Sequence, residues 1–282
     1  MSAQCVGLSG ARAMTGSKTI EFAAQYDRTA EDWIVFPADA AMRKTWFVPE
    51  VMEHPAKANL YMILELINWA SKPGETIMDI TAGTGSIMLA AITGRHVVCI
   101  EIEEDYCKLM EASISKMSSS LVGRVTVLHG DCRKFLPLPA DHIIFSPPYA
   151  NILHKDYKAT GAGSSDVGAI AHFKALPAYS QTPGNLTLLN RFLYNQEMER
   201  IYSLCYQSLP AGGTLSIILK DYTEKGKRVY LTDWMVKCCV RAGFSIKAIF
   251  KRYSPGTGYL QLWKSKGLSV VEDEDIAIMV KP

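Results

Sequence analysis

The chain has 282 residues, of which 48% are hydrophobic and 21% charged, and a formal net charge of +2. This balance belongs to folded domains and excludes a disordered chain. No apolar run reaches the ~18 residues that a membrane-spanning helix requires, which excludes a conventional membrane protein.

The elements follow in chain order. Residues 1–50 read as an amino-terminal extension that ends in the aromatic stretch Trp46-Phe47-Val48-Pro49. Over Met52–Ala70, apolar side chains at Leu60, Ile63, Leu64, Ile67 and Ala70 have the spacing of an amphipathic helix. From Pro73 a strict alternation begins. Glu75–Ile80 reads as a buried strand, Thr81–Ser86 as a glycine-rich turn and Ile87–Ile92 as a helix. His96–Ile100 reads as a strand and Glu104–Lys116 as a helix. Strands are expected at Arg124–His129 and His142–Phe145, a helix at Gln196–Leu209, and a strand at Thr214–Leu219. A helix at Thr232–Ala242, a strand at Ser245–Phe250 and a seventh strand at Asp275–Val280 complete the set. Short apolar runs separated by helices predict a doubly wound α/β domain over 51–282. Its sheet would be Rossmann-like, mostly parallel and seven-stranded. Residues 150–195 break the rhythm and read as an inserted loop, a length that usually serves a lid or binding loop.

Four places carry chemistry. The first is Asp79-Ile80-Thr81-Ala82-Gly83-Thr84-Gly85-Ser86, a strand running into a turn and a helix. Its glycines let the backbone pass close to a ligand, and the helix start offers unpaired N–H groups. The second is Glu101, at the end of the next strand, where nucleotide-binding folds put the acid that holds both ribose hydroxyls. The third is Asp131, after the third strand, which reads either as a ligand contact at the same sheet edge or as a helix cap. The fourth is Ser146-Pro147-Pro148-Tyr149, closing the fourth strand. Two prolines after a buried strand stiffen the chain and remove donors. Carbonyl oxygens, a hydroxyl and an aromatic ring remain, which suit a planar ligand bearing an exocyclic amine.

Seven cysteines without regular spacing fit a reducing compartment, and the first twenty residues lack the apolar core of a signal peptide, so a cytoplasmic protein is expected. The absence of C-x-x-C and H-x-x-x-H pairs gives no metal site. Charge is unevenly distributed. Lys220–Lys266 carries eleven Lys/Arg against three Asp/Glu, while acids gather at Glu101–Asp105 and Glu272–Asp275. The basic segment reads as the footprint of a polyanion or as a solvated face.

Taken together, Asp79–Ser86, Glu101, Gly130-Asp131 and Ser146–Tyr149 resemble the S-adenosylmethionine-dependent DNA amino-methyltransferases, the N4-cytosine and N6-adenine enzymes. His54-Pro55-Ala56-Lys57 is similar to the segment this family places before its glycine motif. Leu209-Pro210-Ala211-Gly212-Gly213 is similar to its turn before the fifth strand. The likeness spans about residues 50–282 and departs from the family at Thr81-Ala82, where a Pro-Phe or Pro-Met pair is common. The resemblance implies S-adenosylmethionine as cofactor. Asp79, Thr81, Gly83 and Gly85 would lie in its motif, Glu101 on the ribose, Asp131 on the adenine amine, and His54 and Lys57 near the methionine end. Ser146, Pro147, Pro148 and Tyr149 would form the base site. DNA is the partner it implies, in a restriction–modification setting, with Lys155, Lys158, Lys225, Lys227 and Arg228 on the phosphates. The expected reaction is direct methyl transfer to the exocyclic amine of a flipped base. Ser146 in the first motif position favours cytosine N4 over adenine N6. None of the cysteines follows a proline, which argues against the cysteine-nucleophile chemistry of 5-position cytosine enzymes. An RNA or protein amine methyltransferase and a catalytically silent nucleic-acid-binding module remain the alternatives.

Overall fold

A computed structural model describes residues 21–54, 57–148, 182–224, 227–254, 264–267 and 270–282. The strands are β1 (Asp27–Arg28), β2 (Ile34–Val35), β3 (Thr76–Asp79), β4 (His96–Glu101), β5 (Val125–His129), β6 (His142–Phe145) and β7 (Thr214–Leu219). They continue with β8 (Tyr222–Glu224), β9 (Lys227–Val229), β10 (Ser245–Tyr253) and β11 (Asp273–Val280). The described helices are α1 (Ala40–Trp46), α2 (Leu60–Ala70), α3 (Leu89–Ile92), α4 (Glu104–Met117), α5 (Cys132–Phe135), α6 (Arg191–Ser208) and α7 (Leu231–Ala242).

One sheet runs in the order β1-β2-β10-β11-β7-β6-β3-β4-β5, and β8 and β9 form a separate hairpin. The strands from β7 to β5 are parallel, and β11 is antiparallel to both of its neighbours. All seven expected strands are present in a sheet that has nine. The two additional strands come from the amino-terminal extension. They are only two residues each, too short for an alternating pattern to be visible. Ile34 pairs with Arg252 of β10, and Phe22 stacks on Phe250 with ring centroids 4.5 Å apart.

Each central strand divides its side chains between two cores, as the period of two demands. Ile77, Ile144, Ile218, Ile276 and Ile278 enter the layer packed with α2 and α4. Met78, Ile143, Phe145, Ile217 and Ala277 enter the layer packed with α6 and α7. Strand β6 is buried along its whole length, which explains its apolar run Ile143–Phe145, and its first residue, His142, bonds Thr214 at 2.8 Å.

Two helix starts differ most from the sequence reading. Helix α2 starts at Leu60, not near Met52, because the Asn59 side chain accepts from the N–H groups of Tyr61 and Met62, a capping arrangement. Pro49–Glu53 forms a separate 3-10 turn ahead of it. Helix α6 starts at Arg191, where Asn190 accepts from the Leu193 N–H.

Strand pairing also redistributes the charge. In the antiparallel β10–β11 ladder, Lys251 faces Asp275, Arg252 faces Glu274 and Tyr253 faces Asp273. Lys251 bonds Asp273 at 2.7 Å and Asp275 at 2.6 Å, and Arg252 pairs with Glu274. Arg228 bonds Asp221 and Asp273, each at 2.7 Å, and Lys264 bonds Glu272 at 2.6 Å. Four cations of the basic segment, Arg228, Lys251, Arg252 and Lys264, are therefore paired with the acidic run that looked separate in sequence.

Candidate active site

The chain moves from β3 outward to β4 on one side and returns to β6 on the other. This reversal opens a crevice beyond the carboxyl ends of β3 and β6, the place where open α/β sheets bind ligands. A cavity of about 360 Å³ lies there, within the range of small-molecule sites.

The turn after β3 builds its floor. Asp79 Oδ1 accepts from the Thr81 N–H at 3.0 Å, and the Ala82 N–H donates to the Ile100 carbonyl of β4 at 3.0 Å. Gly83 and Gly85 both have positive φ, 54° and 78°, which favours glycine. The two play different parts. Gly83 lines the cavity, and a Cβ there would meet the His54 ring at 3.6 Å. Gly85 does not line it, and a Cβ there would come within 2.8 Å of Met110 and Met88. Gly85 thus lets the turn close onto α4.

Glu101 ends β4 and lines the cavity, with 7% of its surface exposed. Its Oε2 accepts from the Gly83 N–H at 2.6 Å and its Oε1 from the Glu103 N–H at 2.9 Å. Burial is the main cause that raises its carboxyl to about 7, against backbone bonds from Glu103, Gly83 and Ile102 that pull it down. Burial also raises Asp79 to about 7, helped by the neighbouring charge of Glu101.

Asp131 caps α5 through the Arg133 N–H and receives the Arg133 guanidinium at 2.6 Å. Burial would raise its carboxyl, but Arg133 outweighs it and holds the carboxyl below its ordinary value. Asp131 is therefore both the cap that its sequence allowed and part of the cavity wall.

Thr81 Oγ1 donates to the Ser146 carbonyl at 3.0 Å, which ties the glycine turn to the end of β6. The Pro148 carbonyl accepts from the Tyr194 hydroxyl at 2.7 Å. Between these anchored carbonyls, the Ser146 hydroxyl and the Pro147 carbonyl accept no hydrogen bond from the described residues. Ser146, Pro147 and Pro148 all line the cavity.

His54 and Lys57 close another side. The His54 ring packs edge-on against Tyr106, centroids 4.7 Å apart. Lys57 Nζ donates to the carbonyls of Met52, at 2.8 Å, and His54. Burial lowers the Lys57 ammonium from its ordinary value, and the nearby charge of Arg43 adds to this.

Of the residues expected at the cofactor and base sites, Gly85 alone lies off this wall among those described. Lys227 and Arg228 are not part of the wall either, and Arg228 is held by Asp221 and Asp273. Tyr149, Lys155, Lys158 and Lys225 lie outside the described residues. The sequence reading missed Gly184, Asn185, Leu186 and Thr187, which line the cavity from the end of the expected inserted loop. Asn185 Nδ2 donates to Glu103 Oε1 at 2.8 Å, and Arg133 donates to the Gly184 carbonyl at 2.8 Å. The Gly184-Asn185 turn pair was the available signal.

Residues 21–112 match the family model described as DNA methylase, that of the N6 and N4 methyltransferases. This segment is similar to the DNA amino-methyltransferases. A stretch of 88 residues is 31% identical to the type II methyltransferase M.BglI of Bacillus subtilis, covering 30% of this chain and 24% of that protein. The match thus spans about a quarter of that relative's length. A methyltransferase from Pyrococcus furiosus shares the fold, with a TM-score of 0.50, 16% identity, and coverage of 86% of this chain and 94% of that one. TrmN from Thermus thermophilus is similar at a TM-score of 0.48 and 14% identity, over 81% of this chain and 50% of that chain.

S-adenosylmethionine is the family's cofactor, and the donor set of the cavity fits it. A buried carboxylate at Glu101 suits a diol, Ile102 and Leu186 offer apolar surface to a base, and Lys57 offers a cation to a carboxylate. Among the described residues, no group of His, Cys, Asp and Glu could hold a metal ion, and no helix is long and apolar enough to cross a membrane.

Proposed function

We propose that this protein transfers a methyl group from S-adenosylmethionine to the exocyclic amine of a DNA base, with cytosine N4 favoured over adenine N6. The observation that carries the reading is the Thr81–Ser146 hydrogen bond. It joins the turn of the cofactor motif to the S-P-P strand end, so donor and acceptor sites share one cavity.

When bound, the cofactor supplies an electrophilic methyl group, and the chain's own residues then have only to position the amine and polarise it. Glu101 would hold the ribose, Asp131 the adenine amine, and His54 and Lys57 the methionine end, with Asp79, Thr81 and Gly83 shaping the turn. A base amine is a poor nucleophile because its lone pair is delocalised into the ring. Among the described residues, the Ser146 hydroxyl and the Pro147 carbonyl are acceptors without a competing donor, so they can take the amine's N–H bonds and draw that lone pair out of the ring. Tyr149 would stack on the base. Reaching a base within a duplex requires flipping it out, at a cost of a few kcal/mol. Among the described residues, Cys132 is the cysteine that lines the cavity, and burial holds its thiol up at about 12, which does not suit covalent attack.

The test is incorporation of labelled methyl groups into DNA against RNA, followed by base-resolution mapping of the product. Label in RNA alone would overturn the reading in favour of an RNA enzyme. Label in neither, with the cofactor bound, would leave a silent binding module.

A further inference from the structure

We propose that Arg43 is a positioning residue for the amino-acid end of the cofactor cavity. The inference rests on the cofactor reading above. Arg43 comes from α1, in the segment the sequence reading set aside as an extension, yet only 1% of its surface is exposed. It does not line the cavity, so it would act through residues that do.

The guanidinium joins two walls. Its Nη1 donates to Ser86 Oγ at 3.1 Å, at the end of the glycine turn. Its Nη2 donates to the Ala58 carbonyl at 2.7 Å, next to Lys57. Ala58, Lys57 and Ser86 all line the cavity. Asp39 supplies the counter-charge at 2.6 Å, and the same Asp39 Oδ2 accepts from the Leu60 N–H at 2.9 Å. Asn59 Nδ2 adds a bond to the Pro37 carbonyl at 2.8 Å. The 37–43 segment therefore clamps residues 58–60 against the glycine turn.

The geometry also gives this end its charge. Arg43 lies near enough to Lys57 to depress the lysine's basicity, so two cations stand here against Asp39. Glu101 and Asp131 also line the cavity, each bonded to donors of its own, Gly83 and Glu103 for Glu101 and Arg133 for Asp131. A carboxylate-bearing ligand would be oriented by that polarity, with its acid toward Lys57. A planar, rigid guanidinium can hold three acceptors in fixed directions at once, which an ammonium on a flexible stem cannot.

The experiment uses the full chain and two probes. S-adenosylhomocysteine carries the amino-acid end, whereas 5′-methylthioadenosine has the nucleoside and thioether without it. Affinities are measured by calorimetry, with the weaker probe read by displacement of the stronger. For Arg43→Met and Arg43→Lys, S-adenosylhomocysteine should bind about tenfold more weakly, the scale of a lost hydrogen bond to a charged group. Methylthioadenosine should change by less than about twofold, since its contacts lie elsewhere on the wall. Ser86→Ala removes one arm of the clamp without touching the buried ion pair, and should show the same selectivity at a smaller amplitude. It decides the matter if the Arg43 variants do not fold. Equal weakening of both probes would reduce Arg43 to general support of the fold, and unchanged affinity for both would remove the role. Failure of the wild-type chain to bind either probe would overturn the cofactor reading itself, and this inference with it.

Discussion

The Gly83 N–H donates to Glu101 Oε2 at 2.6 Å, across from the Glu103 N–H on Oε1. The carboxylate is therefore aimed by backbone groups on two elements before any ligand arrives. Such preorganisation makes each bond to a ligand hydroxyl count. Replacing Glu101 with Ala should weaken S-adenosylmethionine binding by about 1–3 kcal/mol, the scale of hydrogen bonds to a charged group. Unchanged affinity in calorimetry, with the variant folded, would remove Glu101 from the ribose site.

The same burial makes binding depend on pH. Glu101 and Asp79 are raised from 4.5 and 3.8 to about 7. Their folded pKa values exceed the unfolded ones, so their stabilising contribution is complete below about 4 and is lost as pH rises through about 7. A ligand diol donating to Glu101 favours the ionised form and pulls its pKa back down. Binding near pH 6.5 should therefore release a proton, and affinity should rise between pH 6 and 8. Calorimetry in two buffers of different ionisation enthalpy reads the proton directly. Identical heats after correction, together with a flat pH profile, would show that Glu101 is already ionised in the free protein or does not meet the ligand.

Much of this site was legible because its residues are punctuation at strand ends. Asp79, Glu101, Asp131 and Ser146 each stand at or just beyond the end of a short apolar run, and parallel pairing brings those ends to one edge. What was not legible depended on distant pairing. Arg43 looks like any surface arginine of an amphipathic helix until Asp39, Ala58 and Ser86 surround it. Leu186 and Thr187 sit in a segment without periodicity. The charge balance of the basic segment was incomplete for a related reason: a local charge count cannot see that β11 lays its acids along β10.

That pairing has consequences for stability and for DNA. Burial alone would raise Asp273, but Arg228 and Lys251 bring it down to about 2. Its contribution is present above the ordinary carboxylate pKa and is lost as pH falls through about 2, opposite in sign to that of Glu101. Arg228→Ala removes one of two cations from a carboxylate that is 2% exposed. It should cost about 1–3 kcal/mol of stability, read as a lower denaturant midpoint at neutral pH and a smaller loss near pH 3. The salt dependence of DNA binding is then expected to be shallower than eleven free cations would give, because each phosphate neutralised contributes roughly −0.9 to the slope. A full slope near −10, together with an unchanged midpoint in Arg228→Ala, would return this segment to the DNA interface.

The chemical step depends on how firmly the S-P-P end is held. Tyr194, from α6, bonds the Pro148 carbonyl at 2.7 Å, while Thr81 holds the Ser146 carbonyl. Among the described residues, the Ser146 hydroxyl and the Pro147 carbonyl meet no donor, and on the proposed reading they take the incoming amine. Tyr194→Phe keeps the ring in its buried position and removes the hydroxyl alone. It should lower kcat several-fold with little change in cofactor affinity, since a misplaced acceptor acts on the amine and not on the nucleoside. Ser146→Ala should lower kcat further, by about 10²-fold if the hydroxyl polarises the amine as oxyanion-hole donors polarise a carbonyl. Tyr149→Ala should lose about 1–3 kcal/mol of base stacking, and Tyr149→Phe much less, because the π-face survives. Burst-phase kinetics and trapping with a mechanism-based DNA substrate should reveal no covalent enzyme–DNA adduct. Capture of such an adduct through any cysteine would overturn direct transfer. Loss of cofactor binding in Ser146→Ala, with turnover otherwise intact, would move this strand end from the base to the cofactor.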